Sequence, residues 1–383
     1  MKIAQVVSTY PPYRGGMGGI AWEYTQRLRS RGHHVHVFTP RHTPVDGDPN
    51  YVHRIPSPLH IGNTGVLPSL FYRLKGFDLV HLHYPFFGGA EPLIVGKALR
   101  PRQPLVVSYH MDVVGRGWKR LAFDIHRRML FPWLMGRADR ILTSSMAYAR
   151  TSDLRSLSGI SEKMEQLPFG VDLERYHPGS EPSLRERLGI CLDVPVFLFV
   201  GGLDRAHYFK GVSIFLEALS AIGDREWHAV VVGDGDLRKA FALQASALGL
   251  EKRVLFVGSI SEEEKPSYFR LADVHVFPSI DRSEAFGLVA LEAAGSGIPT
   301  VASRLAGVDE AVEEGKTGLL VEPGNVASLC TALVRLLEHP EERERLGKAA
   351  HTRAEHLFDW KPIMERLEAL YHELLAVRQE QKK

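Results

Sequence analysis

The chain has 383 residues, 44% of them hydrophobic and 24% charged, with a net charge of +2 at pH 7; this length is long for one domain and comfortable for two, and the mix excludes a chain dominated by disorder. Two cysteines, Cys191 and Cys330, are too few for a disulfide framework or a zinc site of their own, which fits a reducing cytoplasm. No apolar run approaches the roughly 18 residues that span a bilayer, and the run after Lys2 ends at Ser8, before Tyr10-Pro11-Pro12, too early for a secretory leader.

Lys2–Ser8 (KIAQVVS) reads as a buried strand, followed by a glycine-rich loop, a helix from about Ile20 to Arg31 and a second strand at Val35–Thr39. Residues 40–75 are rich in Pro, Gly and His and read as loops with short elements. Asp78–His83, Leu105–Tyr109 and Arg140–Ser144 are further strands separated by helical stretches, and Ser180–Asp193 is the expected crossing between halves. Pro195–Val200 opens a second series, continued by strands at His228–Val232, Val254–Val257, Val274–Pro278 and Pro299–Ala302, with helices at about 211–222, 236–248, 262–272, 286–295 and 326–338. Ser261 and Glu264 have the spacing of a capping box.

Strands alternating with helices predict an α/β fold of parallel sheets covered on both faces. Two such series predict two doubly wound, Rossmann-like domains, residues 1–185 and 190–358, with a last helix within 359–383. Ligands of such sheets bind beyond the carboxyl ends of the strands, so a cleft between the domains is the expected site. Residues 1–190 hold 25 Lys and Arg against 15 Asp and Glu, and the remainder 22 against 30. That asymmetry fits either an anionic partner for the first half or mutual attraction of the two halves.

The segment Pro278–Gly297, PSIDRSEAFGLVALEAAGSG, places Glu284 before a predicted helix and Glu292 about two turns into it. Eight residues at helical rise span roughly 12 Å, about the distance between the hexose and ribose of a nucleotide sugar. Carboxylates accept paired hydrogen bonds from vicinal hydroxyls, and the helix start near Gly287 offers unsatisfied N–H groups to a phosphate. The alternative is that Glu284 caps the helix and Glu292 lies on its solvated face. The loop Gly15-Gly16-Met17-Gly18-Gly19 follows a strand and opens a helix, which suits close backbone approach to an anion. It lacks the last glycine of a dinucleotide fingerprint, which disfavours a dehydrogenase.

The Glu284–Glu292 segment resembles the signature of retaining GT-B glycosyltransferases of family four, through Glu284, Phe286, Gly287 and Glu292. GGMGG, DLVHLH, RADRILTSS, LPFGVDLERYHP, VVGDGDLR, and Pro299, Gly307, Glu310, Gly318 and Pro323 extend the resemblance in order over nearly the whole chain. The resemblance implies that Glu292 binds the ribose hydroxyls, that Glu284 holds the donor hexose, and that the backbone of Phe286, Gly287, Leu288 and Val289 meets phosphate or sugar. It places Gly15 and Gly16 against the donor diphosphate, His110 beside the transferred sugar, and the last helix back on the first domain. Lys210 matches the family's diphosphate-binding lysine. The arginine usual directly after the strand is replaced by Gly202, leaving Arg205 as a substitute candidate. The backbone from Gly258 to Ile260 is the expected base contact.

The expected activity is transfer of a hexose, with retention, from a nucleotide-diphosphate sugar of GDP-mannose or UDP-glucose type to a glycan or lipid-linked hydroxyl. No metal or other cofactor is expected: His81 and His83 lack a third ligand, and no aspartate pair is arranged for a cation. Asp234 and Asp236 read as a turn and a helix cap. Trp118–Arg137 mixes basic and apolar residues, as in a helix lying on an acidic membrane or one packed on a core with a basic outer face; the expected location is therefore the cytoplasm, with peripheral contact to the inner membrane face. An epimerase of the same fold and a non-enzymatic nucleotide-sugar binder remain the other readings.

Overall fold

The computed structural model describes residues 1–13, 15–41, 47–61, 64–113 and 118–380. Two compact units divide the chain: Met1–Phe169 with Lys361–Lys383, and Gly170–Trp360. The strands are β1 (Lys2–Val6), β2 (His34–Pro40), β3 (Val52–Ile55), β4 (His60–Ile61), β5 (Thr64–Gly65), β6 (Leu79–Tyr84), β7 (Leu105–Tyr109), β8 (Arg140–Thr143) and β9 (Met164–Gln166), then β10 (Val196–Val200), β11 (His228–Val232), β12 (Val254–Gly258), β13 (Val274–Phe277), β14 (Thr300–Ser303) and β15 (Gly318–Val321).

The first unit is a seven-stranded sheet in the order β3-β2-β1-β6-β7-β8-β9, every pairing parallel, beside a small β4–β5 ribbon. The second is a six-stranded sheet in the order β12-β11-β10-β13-β14-β15, again parallel throughout. The strands are near-continuous runs of buried apolar residues, VFLFV in β10 and HAVVV in β11, as sheets covered on both faces require. Helices supply the cover: Phe215, Leu216 and Leu219 of Val212–Ser220, and Leu329, Leu333 and Leu336 of Val326–Glu338, share one core with β10 and β11. Each such side chain contributes about 1.5–3 kcal/mol on burial.

Three strands of the two main sheets fall outside the sequence expectation. β3 lies in the stretch read as loops, β9 has only three residues, and β15 lies in the glycine-rich run after β14. All three are short edge strands; in β3 and β9 half-buried polar residues blur the apolar pattern, whereas GLLV of β15 is apolar but only four residues long. The units divide at Phe169 and Gly170 rather than near residue 185. The reason is local: Val171 N–H donates to Phe358 O, and Arg185 reaches Leu271 O and Asp273, so residues 170–185 are tied to the second unit. The terminal helix Trp360–Glu380 lies, from Lys361, in the first unit, where Glu368 pairs with Arg31 and His33.

Candidate functional site

The order of the second sheet reverses beside β10, which has β11 on one side and β13 on the other. In open parallel sheets such a switch point leaves room for a ligand beyond the strand ends. The loops after β10 and β13 therefore lie together, and they carry the predicted residues.

After β10 the chain makes a tight turn, Arg205–Lys210, started by the Asp204 carboxylate accepting from Ala206 N–H at 2.8 Å and His207 N–H at 3.2 Å. Ile280 N–H donates to Phe209 O at 2.7 Å and the Tyr208 hydroxyl to Asp281 at 2.7 Å, which stitches this turn to the loop after β13. Gly211 closes it at φ 72°, and a Cβ there would lie 2.0 Å from Pro278 O. Gly211→Ala is therefore expected to cost about 1–3 kcal/mol of stability and to reduce turnover by displacing Lys210; calorimetry and steady-state assays of the variant check this.

The turn delivers the Lys210 ammonium to 2.6 Å from Glu284 Oε2, with the two side chains only 15% and 10% exposed. The Ser279 hydroxyl donates to the same oxygen at 3.2 Å, and the ammonium lies 5.0 Å from the Phe277 ring centre. Glu284 is thus engaged by a lysine 74 positions away. It does not cap the helix, which begins at Leu288 after Gly287 and has no side-chain cap. The stretch between Glu284 and Gly287 is not helical, so the simple helical rise between the two glutamates does not hold. Phe286 is turned into the core against Phe358, leaving its backbone as the part able to meet a ligand. Gly287 has φ 91° and a Cβ there would meet Phe277 at 2.6 Å, so glycine sets the approach to the helix start. Leu288 and Val289 form the first turn, whose N–H groups have no intrahelical acceptor.

Glu292 also departs from a solvated-face residue. Lys265 reaches its Oε1 at 2.6 Å and the Tyr176 hydroxyl donates to the same atom at 3.2 Å, while Oε2 is buried without a hydrogen bond. Burial pushes its carboxyl above the ordinary carboxylate range, against the lowering effect of Lys265. Between the two pairs lies buried His275, held neutral with a pKa near 3 by desolvation and by the Lys210 and Lys265 charges. Sequence reasoning missed Lys265 and Tyr176. Tyr176 stood in a quoted motif, but Lys265 carried no signal, since only folding brings it to Glu292.

Gly258 ends β12 at φ 83°, its carbonyl accepting from Gly233 N–H at 2.9 Å, and Ile260 follows, partly exposed. The capping box forms: Ser261 N–H donates to Glu264 Oε2 at 3.0 Å and Glu264 N–H to Ser261 Oγ at 3.1 Å. Asp236 does not cap the helix Arg238–Ala247; it accepts from Arg205 N–H at 3.0 Å and pairs with the Arg205 side chain at 3.2 Å. Arg205 is 84% exposed there, outside the Lys210–Glu284 pair.

In the first unit Gly15 is extended at the start of the helix Gly16–Ser30, which has no side-chain cap. Gly16 is exposed, and a Cβ on Gly18 would lie 2.8 Å from Thr9 O. His110 follows β7 and is buried, its backbone N–H donating to Tyr84 O at 2.9 Å and its ring Nε2 lying 2.9 Å from His83 Nδ1. Among the described residues no cluster of three His, Cys, Asp or Glu could hold a metal ion, and no helix is long and apolar enough to cross a membrane.

Residues 180–353 match the family described as Glycosyl transferases group 1, and residues 14–175 match Glycosyltransferase Family 4. The D-rhamnosyltransferase WbpZ of Pseudomonas aeruginosa is 32% identical, with 94% of this chain and 92% of that protein covered. A GDP-mannose-dependent alpha-(1-6)-phosphatidylinositol monomannoside mannosyltransferase of Mycolicibacterium smegmatis is 30% identical, covering 98% of each. Among solved structures, a sucrose-phosphate synthase from Thermosynechococcus elongatus has a TM-score of 0.78 at 25% identity, covering 98% of this chain and 100% of the other.

Proposed function

This chain belongs to the group 1, family 4 glycosyltransferases of GT-B fold, and from that premise we propose that it is a retaining, metal-independent hexosyltransferase using a nucleotide-diphosphate sugar of GDP-mannose or UDP-glucose type. The observation that carries this reading is the Lys210–Glu284 pair beside the uncapped helix start at Gly287. The ammonium and the first-turn N–H groups of Leu288 and Val289 offer positive charge to the diphosphate. Glu284 keeps lone pairs for the hexose hydroxyls, and the unbonded Oε2 of Glu292 is an acceptor for ribose.

In the step itself the bond from the anomeric carbon to the leaving phosphoryl oxygen breaks, and a bond to the acceptor oxygen forms on the same face. The acceptor proton passes to the departing phosphoryl oxygen, so no side chain need be a covalent nucleophile. Gly15 and Gly16 serve the diphosphate, His110 the transferred sugar, and the backbone of Gly258 to Ile260 the base. Arg205, paired with Asp236, contributes to the diphosphate only if it leaves that partner. The test is a thermal-shift panel of nucleotide sugars followed by turnover with the best binder. Release of nucleoside diphosphate with an acceptor product of unchanged anomeric configuration supports the proposal. Conversion of donor without any acceptor would show an epimerase instead, and binding without turnover a non-catalytic protein.

Glu292→Gln is expected to raise the donor KM by about 10-fold, the loss of one charged hydrogen bond, with a smaller change in kcat. The raised carboxyl of Glu292 takes up its proton at higher pH than an ordinary glutamate. Because the ionised form accepts from both ribose hydroxyls, donor KM should rise as pH falls, beginning above the usual carboxylate range. The Glu292→Gln profile should be flat there; pH-dependent donor kinetics of both proteins check this.

A lipid-linked acceptor is the class the first unit favours. The helix Trp118–Arg137 packs Phe131, Leu134 and Met135 inward, yet Leu121, Ile125, Met129 and Trp133 stand 51–68% exposed at four-residue spacing. The side chains of residues 118–120 and 122 lie outside the described residues. Exposed Arg128 and half-buried Arg137, whose guanidinium sits 5.1 Å from the Trp133 ring centre, flank that apolar row, an arrangement suited to an anionic bilayer surface at the inner membrane face. Co-sedimentation with anionic vesicles should be clear and with neutral vesicles weak, and Ile125→Ser with Met129→Ser should abolish it.

A further inference from the structure

His81 and His83 point to the same face of β6, as i and i+2 do on a strand, and their ring centres stack 4.9 Å apart. Tyr24 covers both at 5.9 and 5.8 Å. His81 is engaged by the Tyr371 hydroxyl at 2.5 Å and Ser108 Oγ at 2.8 Å. His83 has different partners. Its Nε2 lies 2.8 Å from Gln5 Oε1 and its Nδ1 2.9 Å from His110 Nε2, and the His83 and His110 rings stack at 5.1 Å, with Phe169 on the other side of His110 at 5.3 Å.

Burial lowers the pKa of both rings, His110 to about 3, so each is neutral with one N–H and one lone pair. The Gln5 carbonyl oxygen only accepts, so the proton of His83 sits on Nε2 and its Nδ1 accepts. The proton of His110 then sits on Nε2, and His110 Nδ1 keeps its lone pair. We infer that Gln5 and His83 are positioning residues that hold His110 in its Nε2–H tautomer, so that Nδ1 accepts a hydrogen bond from a hydroxyl of the transferred sugar. The inference rests on the reading that His110 meets that sugar. A hydroxyl that donates to Nδ1 gains electron density on its oxygen, which favours the positive charge growing at the neighbouring anomeric centre. The benefit therefore falls on kcat rather than on donor binding.

The test has a spectroscopic and a kinetic arm. Nitrogen-15 spectra of histidine-labelled wild-type protein should show His110 with a bare Nδ1 and a protonated Nε2; the opposite tautomer overturns the inference. His83→Phe keeps the ring stack but removes both bonds, and should lower kcat on the order of 10²-fold, the cost of a misaligned reacting group, with donor KM unchanged. His83→Gln can accept from His110 and donate to Gln5, and should restore most of the rate. A His83→Phe enzyme with wild-type kcat overturns the inference, as does a loss that His83→Gln fails to rescue. Should His83→Phe not fold, Gln5→Leu with the wild-type spectrum decides. His110→Phe separates the two levels: full activity there removes His110 from the sugar, whereas lost activity there with an active His83→Phe removes only the positioning role.

Discussion

Lys210→Ala is expected to lower kcat for nucleoside diphosphate release by about 10³-fold, the upper range for deleting one preorganised charge donor. The Lys210 side chain is 15% exposed and its ammonium lies 5.0 Å from the Phe277 ring centre, so in the proposed reaction its field is weakly screened where the leaving group gains charge. In the resting enzyme Glu284 holds it at 2.6 Å, and no reorganisation is needed when the diphosphate departs. Removing it strands a mostly buried carboxylate, so melting should also fall, by about 3 kcal/mol of stability, leaving a folded protein by circular dichroism. Lys210→Arg retains charge but not the compact ammonium, and should recover only part of the rate. Wild-type turnover by a folded Lys210→Ala protein would remove this lysine from the reaction.

Glu284→Gln is expected to cost kcat about 10²-fold or more, with shape and burial kept. In the proposed reaction the carboxylate does two things that a carboxamide cannot: it balances the Lys210 charge, and it offers both oxygens as acceptors to hexose hydroxyls. Ser279, donating to Oε2 at 3.2 Å, would still find an acceptor in one orientation of the amide, which limits the structural damage. Since lysine and glutamate act as one unit, the double variant should be scarcely slower than Lys210→Ala alone. Multiplicative losses would show the two acting independently. Rates of the wild type, both single variants and the double variant, measured at saturating donor, decide between these outcomes.

Much of the fold was legible because parallel strands and their covering helices write their burial locally. PVFLFV, HAVVV and the 3.6-residue pattern of Val326–Glu338 need no partner to be recognised. The edges were not legible: VHRI of β3 and MEQ of β9 are strands because a neighbour pairs with them, through Phe38 to His53 and Leu142 to Glu165. At the site, Glu284, Glu292, Lys210 and the glycines were visible as residue types in a motif. Their partners were not, since a motif says which groups are present and not which atoms meet.

What the sequence determined by itself is the alternation that makes two parallel-sheet units, the glycines that admit close backbone approach, and the acidic and basic side chains available for chemistry. Tertiary structure alone decided that β10 lies against β13, which carries Lys210 to Glu284 across 74 positions. It likewise gave Glu292 to Lys265 and Tyr176, Arg205 to Asp236, and His110 to His83. The physical reason is range: hydrophobic periodicity and capping act over a few residues, whereas an ion pair or a buried hydrogen bond depends on which strand ends the sheet order places side by side.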